Sequence, residues 1–306
     1  MDQKETIVVV GFGSQAKAWA MNLRDSNCLL KIALQKESKS VNKARDLGFD
    51  VITLESKELS SYHTFLVLIP DQEQLKFLEK NHSFITPNSL MVYAHGFSMA
   101  RDLVHEKYPQ FSHALLAPKA IASEVRFQYE TKGKIGAAIY SPNKNAESAL
   151  QALAKKVGFT ALYPTPFEKE CAADLFSEQS LLCSLIPYGS LLSYNKLREY
   201  GISPEVAFME CFLELRSIAT AFVNLGPEAF FKLISPNALI GSEKGRKLLI
   251  NENFQRGLEQ IMIDIHNKEF YKEVDVDHAA IRAEVLRQWQ KEELSSTFER
   301  LKSELI

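Results

Sequence analysis

The strongest constraint on the fold is a glycine-containing segment between an apolar run and an amphipathic one. Residues 7–10 are a continuous β-branched run, and the next six residues read Gly-Phe-Gly-Ser-Gln-Ala. Apolar residues then recur at helical spacing over residues 14–25. A glycine-rich turn between a buried strand and a helix is typical of dinucleotide-binding domains.

Each small residue of this turn has a predicted role. Gly11 allows the tight turn, and Gly13 lets the backbone approach a pyrophosphate at the positive end of the helix. Ala16 takes the third position, where only a small residue lets the helix pack close to the strand. The predicted cofactor-binding residues of this segment are Gly11, Gly13, Ser14 and Gln15.

Strand-like and helix-like segments alternate over about 160 residues, which is typical of a doubly wound parallel sheet. The predicted strands are residues 7–10, 29–34, 51–52, 65–69, 90–94, 114–117, 137–140 and 160–163. Two prolines within residues 163–167 end this pattern. Helices or broken helices are predicted after it, over residues 174–185, 188–200, 204–225, 228–233, 243–268 and 277–305.

The sequence therefore predicts an α/β chain of two domains. An N-terminal Rossmann-like domain is expected over residues 1–166, and an all-helical C-terminal domain over residues 167–306.

Composition excludes several classes of partner. The formal net charge of −2 provides no broad basic field for nucleic acid. No apolar run approaches the roughly 18–20 residues that span a bilayer, and the N-terminal segment has no apolar signal-peptide core. The four cysteines lie far apart, which favours reduced thiols. We expect a cytoplasmic protein that acts on a small molecule, with no nucleic-acid or membrane partner.

The end of the second predicted strand bears on which dinucleotide binds. Lys36, Ser38 and Ser40 offer one cation and two hydroxyl donors, which suit the 2′-phosphate of NADP(H). Glu37 is the exception, because a carboxylate there could instead accept from a ribose hydroxyl of NAD. We expect NADP(H), with NAD as the alternative.

Two acidic pairs occur in the helical part of the sequence. Asp174 and Glu178 are four residues apart, and Glu210 and Glu214 repeat that spacing, so each pair shares one helix face. Such pairs are usually solvated, but both have apolar neighbours. Four converging carboxylates need a cation, and hard oxygen ligands suit Mg²⁺ or Mn²⁺, including two ions.

Several motifs occur in one order that is similar to a known family. They are Gly11-Phe-Gly-Ser-Gln15, Leu68-Ile-Pro-Asp71, Ala94-His-Gly-Phe97, Ala117-Pro-Lys119, Asp174-Leu-Phe-Ser-Glu-Gln179, Glu210-Cys-Phe-Leu-Glu-Leu215 and Ile234-Ser235. Together the chain resembles the short form of ketol-acid reductoisomerase, also called acetohydroxyacid isomeroreductase.

The resemblance implies a two-step reaction. A 2-acetohydroxy acid undergoes Mg²⁺-assisted alkyl migration, and NADPH then reduces the new ketone to give a 2,3-dihydroxy acid in branched-chain amino-acid biosynthesis. By resemblance, Asp174 bridges two Mg²⁺ ions, Glu178 completes one site, and Glu210 and Glu214 serve the other directly or through water.

The resemblance also assigns roles outside the metal site. Ser235 would hold the substrate carboxylate, Asp71 would contact the cofactor, and Glu214 would take part in catalysis. His95 and Lys119 would give polar support and manage protons. The family's C-terminal domain is knotted and completes the active site across a dimer, so a homodimer or higher homo-oligomer is expected.

The chain departs from the family pattern around the active site. The usual Pro-Lys-Gly-Pro-Gly-His loop is Pro-Lys-Ala-Ile-Ala-Ser over residues 118–123, which is bulkier and more apolar. Ser177 replaces a usual glycine, and an acidic residue is missing after Ser235.

Three alternatives therefore stay open. One is a divergent family member that reduces another 2-keto acid, and another is a non-catalytic NADP-binding paralogue. The third, a metal-free 3-hydroxyacid dehydrogenase, would not need the acidic pairs.

Overall fold

The computed structural model describes residues 6–306, and its centre is an eight-stranded sheet. Along the sheet the strand order is β3-β2-β1-β4-β5-β6-β7-β8. The strands are β1 Thr6–Val10, β2 Leu29–Leu34, β3 Val51–Thr53, β4 Thr64–Val67, β5 Leu90–Tyr93, β6 Ser112–Pro118, β7 Gly136–Tyr140 and β8 Ala161–Pro164. The order reverses beside β1, which is the doubly wound arrangement predicted from the sequence.

One strand departs from the predicted parallel sheet. Strands β1 to β6 are parallel, but β7 runs antiparallel to β6, with Pro118 opposite Ala137, and β8 is parallel to β7. Between β6 and β7 lies a helix of nine residues, Ala122–Glu130, followed by a short loop. The chain returns along this helix and loop to the end of the sheet at which β6 ends, so the next strand runs in the opposite direction.

Helices cover both faces of the sheet. The apolar cluster that contains Val9, Trp19, Leu66 and Leu116 and the one that contains Val10, Phe65 and Met91 hold alternate residues of the same strands. The helices up to β8 are α1 Ser14–Asp25, α2 Ser40–Asp46, α3 Asp71–Asn81, α4 Phe97–Asp102, α5 Val104–Lys107, α6 Ala122–Glu130 and α7 Lys144–Val157; short 3₁₀ turns lie at Lys57–Ser61 and His82–Phe84. Strands buried on both faces explain the continuous apolar runs of the sequence.

After β8 the described chain is helical. The helices are α8 Phe167–Ser177, α9 Leu185–Glu199, α10 Pro204–Phe208, α11 Leu215–Leu225, α12 Pro227–Leu233, α13 Pro236–Leu249, α14 Glu252–His266, α15 Glu269–Glu273, α16 His278–Lys291 and α17 Glu293–Leu305. Single π-helical turns lie at Glu178–Leu182 and Met209–Leu213. The predicted α/β class with a helical C-terminal part is confirmed.

The structure corrects one predicted helix start and shows where two of the predicted helical segments are broken. The helix expected to begin at Asp174 begins at Phe167, directly after the proline pair. The helix predicted over residues 243–268 is interrupted after Leu249, where Asn251 caps a new helix through hydrogen bonds from the amides of Asn253 and Phe254. The helix predicted over residues 277–305 is broken at Glu292, whose backbone is extended. Caps and single extended residues interrupt a helix without changing its apolar spacing.

Contacts divide the chain into two compact units, the first ending at Ala173 and the second running from Asp174 to Ile306. Among the described residues, 5 large apolar side chains are exposed in the first unit and 29 in the second. One apolar cluster of the second unit includes Leu191, Tyr194, Phe208 and Leu301. No helix in the described range is both long enough and apolar enough to cross a bilayer.

Candidate functional site

The glycine turn has the conformation that its sequence predicts. Gly11 has φ +96°, and a Cβ atom there would lie 2.7 Å from Cγ2 of Ile69 and 2.9 Å from the carbonyl oxygen of Leu68. Any other residue would be strained and would also collide with the start of the segment after β4. Gly11 is thus required by both its backbone angle and its surroundings.

Gly13 leaves open space at the N-terminus of α1. A Cβ atom built there would have no described atom within 4 Å, and Gly13 is itself exposed. Gly13 precedes a helix whose first amides have no intrahelical partner, so this space suits an anion such as a pyrophosphate. Ala16 is fully buried against the sheet, as the predicted fingerprint requires.

A cavity of about 470 Å³ opens beside this turn, and we call it the nucleotide cavity. Among its lining residues are Gly11, Gly13, Glu37, Ser38, Ser40, Glu55, Ile69, Glu73, Lys76, Phe77 and Lys80. Its place at the carboxyl ends of the strands, where the strand order reverses, is the usual ligand site of open α/β sheets.

Two of the three residues predicted to bind the 2′-phosphate line this cavity, and the third does not. Ser38 and Ser40 line it together with Glu37, and the Ser38 hydroxyl accepts from the Ser40 amide at 3.2 Å. Lys36 is exposed and is not among the lining residues described. Sequence reasoning missed Lys76 and Lys80 of α3, because no pattern linked them to the glycine turn.

Ser14 and Gln15 have different surroundings. Ser14 is exposed at the first position of α1, beside Gly13. The side-chain amide of Gln15 donates to the carbonyl of Ala120 at 3.2 Å, which ties the glycine turn to the loop after β6. Ile121 of that loop is 74% exposed.

His95 and Asp71 form a second polar group in the first unit. The Asp71 carboxylate accepts from Nδ1 of His95 at 3.0 Å through one oxygen and from Gln74 at 3.0 Å through the other. Asp71, which was predicted to bind the cofactor, lies beside His95 and is not among the described lining residues of the nucleotide cavity, so this role stays a prediction.

The surroundings of His95 favour its protonated form. Burial lowers the pKa of His95, but hydrogen bonds to Asp71 and Cys171 and the charges of Asp71 and Glu170 raise it well above the usual 6.5. These partners therefore favour the protonated ring of His95, the form that can donate a proton.

Lys119 pairs with Glu170, a residue that the sequence reasoning missed. Nζ of Lys119 lies 2.6 Å from Oε1 of Glu170, which is 1% exposed, and Oε2 accepts from the Gly96 amide at 2.7 Å. A Cβ at Gly96 would lie 2.2 Å from the carbonyl of Phe167, so only glycine lets α8 begin so close. A ring nitrogen of His95 also lies within 4.8 Å of a Glu170 carboxylate oxygen.

All four predicted metal ligands lie in the second unit. Asp174 is half-buried on α8, whereas Glu178, Glu210 and Glu214 are exposed. Among the described residues of one chain, Glu178, Glu210 and Glu214 do not belong to any group of three ligand atoms within 4.8 Å. A single chain keeps each pair one turn apart but does not gather all four acids.

Ser235, the predicted substrate ligand, caps a helix. It is exposed at the start of α13, and its hydroxyl accepts from the Ala238 amide at 3.3 Å. An N-cap serine also stands beside free helix amides, which is where a carboxylate ligand is stabilised.

The fold and the nucleotide cavity define a Rossmann-type dinucleotide-binding oxidoreductase with a helical second unit. Residues 1–161 match the family model described as "Acetohydroxy acid isomeroreductase, NADPH-binding domain". Residues 167–306 match "Ketol-acid reductoisomerase, C-terminal domain". The chain belongs to the ketol-acid reductoisomerase family and is an NADP-dependent oxidoreductase, and the resemblance seen in the sequence is confirmed.

Individual relatives agree with this assignment. The "Ketol-acid reductoisomerase (NADP(+))" of Saccharolobus islandicus strain M.14.25 is 31% identical over 275 residues, which are 87% of this chain and 81% of that protein. The enzyme of strain Y.G.57.14 is 32% identical over the same coverage. A solved structure of an NADH-preferring ketol-acid reductoisomerase from an uncultured archean has a TM-score of 0.87 at 23% identity, covering 98% of this chain and 94% of that one. That likeness shows the fold.

Proposed function

We propose that this chain converts 2-acetohydroxy acids into 2,3-dihydroxy acids by alkyl migration and reduction, as a step of branched-chain amino-acid biosynthesis. The observation that carries the proposal is that family matches cover both halves of the chain and that the chain contains both acidic pairs. A protein that only bound the dinucleotide would have no need of two apolar-flanked acidic pairs.

The residues present fit two Mg²⁺ ions. The donor set of Asp174, Glu178, Glu210 and Glu214 consists only of carboxylates, which are the hard oxygen ligands that Mg²⁺ prefers. When bound, the ions supply Lewis acidity and NADPH supplies hydride. Three of these carboxylates are exposed and accessible to a cation and to a second subunit.

The first unit would position the cofactor and manage protons. The turn at Gly13 would hold the pyrophosphate, and His95, kept protonated by Asp71, would donate a proton to oxygen that develops charge. Glu170 fixes the position of Lys119, whose cation would stand beside the reacting oxygens. Ser235 would hold the substrate carboxylate.

We assign NADP(H) as the preferred dinucleotide. Ser38 and Ser40, which line the nucleotide cavity, and the cations of Lys76 and Lys80 support this preference. Glu37 in the same lining favours NAD(H). We also propose domain limits of 1–166 and 167–306 and a cytoplasmic location, which the reduced state of the cysteines supports.

We also propose that the protein works as a homodimer or higher homo-oligomer. The second unit leaves 29 large apolar side chains exposed, far more than a stable monomer normally shows. A second copy would cover these faces and could bring the acids of two chains together.

The test is the oxidation of NADPH in the presence of 2-acetolactate, with and without Mg²⁺. We expect Mg²⁺-dependent consumption of NADPH and a 2,3-dihydroxy acid as product. Tight NADPH binding without turnover of any ketol acid would instead identify a non-catalytic paralogue, and Mg²⁺-independent reduction would indicate a simple dehydrogenase.

A second candidate substrate is a different 2-keto acid. The exposed Ile121 and the alanines on either side of it stand where the family has a glycine-rich loop. Their side chains are larger than those of glycine, so they leave less room for a substrate beside the loop. Activity on a 3-hydroxypyruvate-like ketone without activity on acetolactate would favour this candidate.

A further inference from the structure

Each acidic pair coincides with a widened helical turn. The turn Glu178–Leu182 begins at the second acid of the first pair, and the Cys183 amide donates to the Glu178 carbonyl at 3.0 Å. The turn Met209–Leu213 contains Glu210, and the Glu214 amide closes it by donating to the Met209 carbonyl at 3.0 Å. Such π turns are rare, and they are frequent at functional sites.

A hydroxyl from another helix supports the second of these turns. Oγ of Ser190 on α9 donates to the carbonyl of Cys211 at 2.5 Å, and Cys211 lies between Glu210 and Glu214. Ser190 is buried, at 7% exposure. Its hydroxyl is therefore a donor from outside the helix that carries the second acidic pair.

The position of Ser190 is fixed by its own helix. Tyr194, one turn later on α9, is fully buried, and its hydroxyl lies 3.1 Å from that of Thr297 on α17. Leu191 and Tyr194 also pack in one apolar cluster with Phe208, which directly precedes the wide turn. The donor and the turn that it supports thus share a single packed core.

We infer that Ser190 is a positioning residue that holds the Met209–Leu213 turn in its wide form and so sets the direction of the Glu214 carboxylate relative to Glu210. Without the Ser190 hydroxyl, the turn can relax to the regular helical ladder. A one-residue change of register rotates the following helix by about 100°, which would turn one carboxylate away from the other. The inference rests on the proposed function, because it assigns these acids to a divalent cation.

The experiment measures Mn²⁺ binding to the full-length protein by electron paramagnetic resonance and NADPH binding by fluorescence. For Ser190→Ala we expect the Mn²⁺ dissociation constant to rise at least tenfold and that of NADPH to stay within twofold. Ser193→Ala removes an exposed hydroxyl from the same helix and should leave both constants unchanged.

Two substitutions of equal shape separate the effect of the Ser190 hydroxyl from the effect of packing. Ser190→Thr keeps a hydroxyl, whereas Ser190→Val introduces a side chain of the same volume as threonine but without a hydroxyl. We expect only the valine variant to lose Mn²⁺ affinity and kcat, with the KM for NADPH unchanged in both. Equal losses in the two variants, or an unchanged Mn²⁺ constant in Ser190→Ala, would overturn the inference. A wild-type protein that bound no Mn²⁺ would overturn the proposed function itself, and the positioning role with it.

Discussion

The two units of this chain differ in how completely they bury their own apolar residues. In the first unit, helices cover both faces of the sheet, and strand residues such as Val9 and Val10 are fully buried on opposite sides. In the second unit, side chains such as Val223, at 77% exposure, stand on uncovered helix faces. The unit with the nucleotide cavity buries its apolar residues itself, whereas the unit with the predicted metal ligands leaves many of its own exposed.

The predicted site residues of the two units differ in a similar way. The glycine turn and the nucleotide cavity are formed by residues of a single chain. The four acids do not meet in one chain among the described residues. If a second copy completes the second unit, then changes in the two units should separate cofactor binding from chemistry and assembly.

The largest effect is expected from Glu214→Gln in the second unit. Removing the charge of one carboxylate from a two-cation site should lower kcat with acetolactate by 10³-fold or more, which is roughly 4–5 kcal/mol of barrier. NADPH binding belongs to the first unit and should be unchanged. Steady-state kinetics and fluorescence titration check both, with the exposed Glu228→Gln as control. Equal weakening of NADPH binding would contradict the separation of the two halves.

A charge on the uncovered faces should disrupt assembly. Val223→Asp would place two symmetry-related carboxylates in an apolar contact, and we expect the dissociation constant of the dimer to rise about 10³-fold, or about 4 kcal/mol. Asn224→Asp adds the same charge at the neighbouring position and is the control. Sedimentation velocity over a range of concentrations measures the change. A wild-type protein that stays monomeric would show that the second unit tolerates its exposed faces.

A pH effect is expected in the core of the first unit. Nε2–H of His113 donates to the Tyr108 carbonyl at 2.9 Å, and Nδ1 lies 3.1 Å from the Tyr93 hydroxyl, so the ring is held neutral. Burial lowers the pKa of His113 from 6.5 to about 4. The unfolded chain binds this proton at a higher pH than the folded chain. The free energy of unfolding therefore falls as the pH drops from about 6.5 to about 4.

The expected loss of unfolding free energy is roughly 3 kcal/mol between pH 7 and pH 4. Urea unfolding followed by the fluorescence of Trp19, in a Trp289→Phe background, reports on the first unit. His113→Leu should remove this part of the pH slope, whereas the exposed His63→Gln should not. The same slope in wild type and His113→Leu would show that another group is responsible.

The sequence predicted the first unit better than the second for a physical reason. Strands buried on both faces are continuous apolar runs, and a glycine at φ +96° can hardly be replaced, so both leave local signals. The direction of β7 was not predictable, because an apolar run has no polarity. The wide turn at Met209–Leu213 was not predictable either, because one extra residue per turn lies within an unbroken apolar pattern.

Some contacts of the candidate site join residues that are far apart in the sequence, so they could not be predicted from it. Glu170 lies in a charged Glu-Lys-Glu stretch typical of a surface, and its burial depends on Lys119, 51 residues earlier. The predicted Asp71 and His95 came from family motifs, but their pairing was visible only in the fold. A sequence signals residues that act through their own backbone more clearly than residues that act through a partner.

The smallest effect concerns the choice of dinucleotide within the finished unit. Glu37 lines the nucleotide cavity with Ser38 and Ser40, and its carboxylate would repel a 2′-phosphate but accept from a ribose hydroxyl. Glu37→Gln should therefore shift the ratio of kcat/KM for NADPH over NADH about tenfold toward NADPH, or about 1.4 kcal/mol. The exposed Glu79→Gln on α3 should leave the ratio unchanged. Because the first unit is complete in one chain, the same shift should appear in binding constants measured with the Val223→Asp variant; a shift that disappears there would mean that the second copy also shapes the nucleotide cavity.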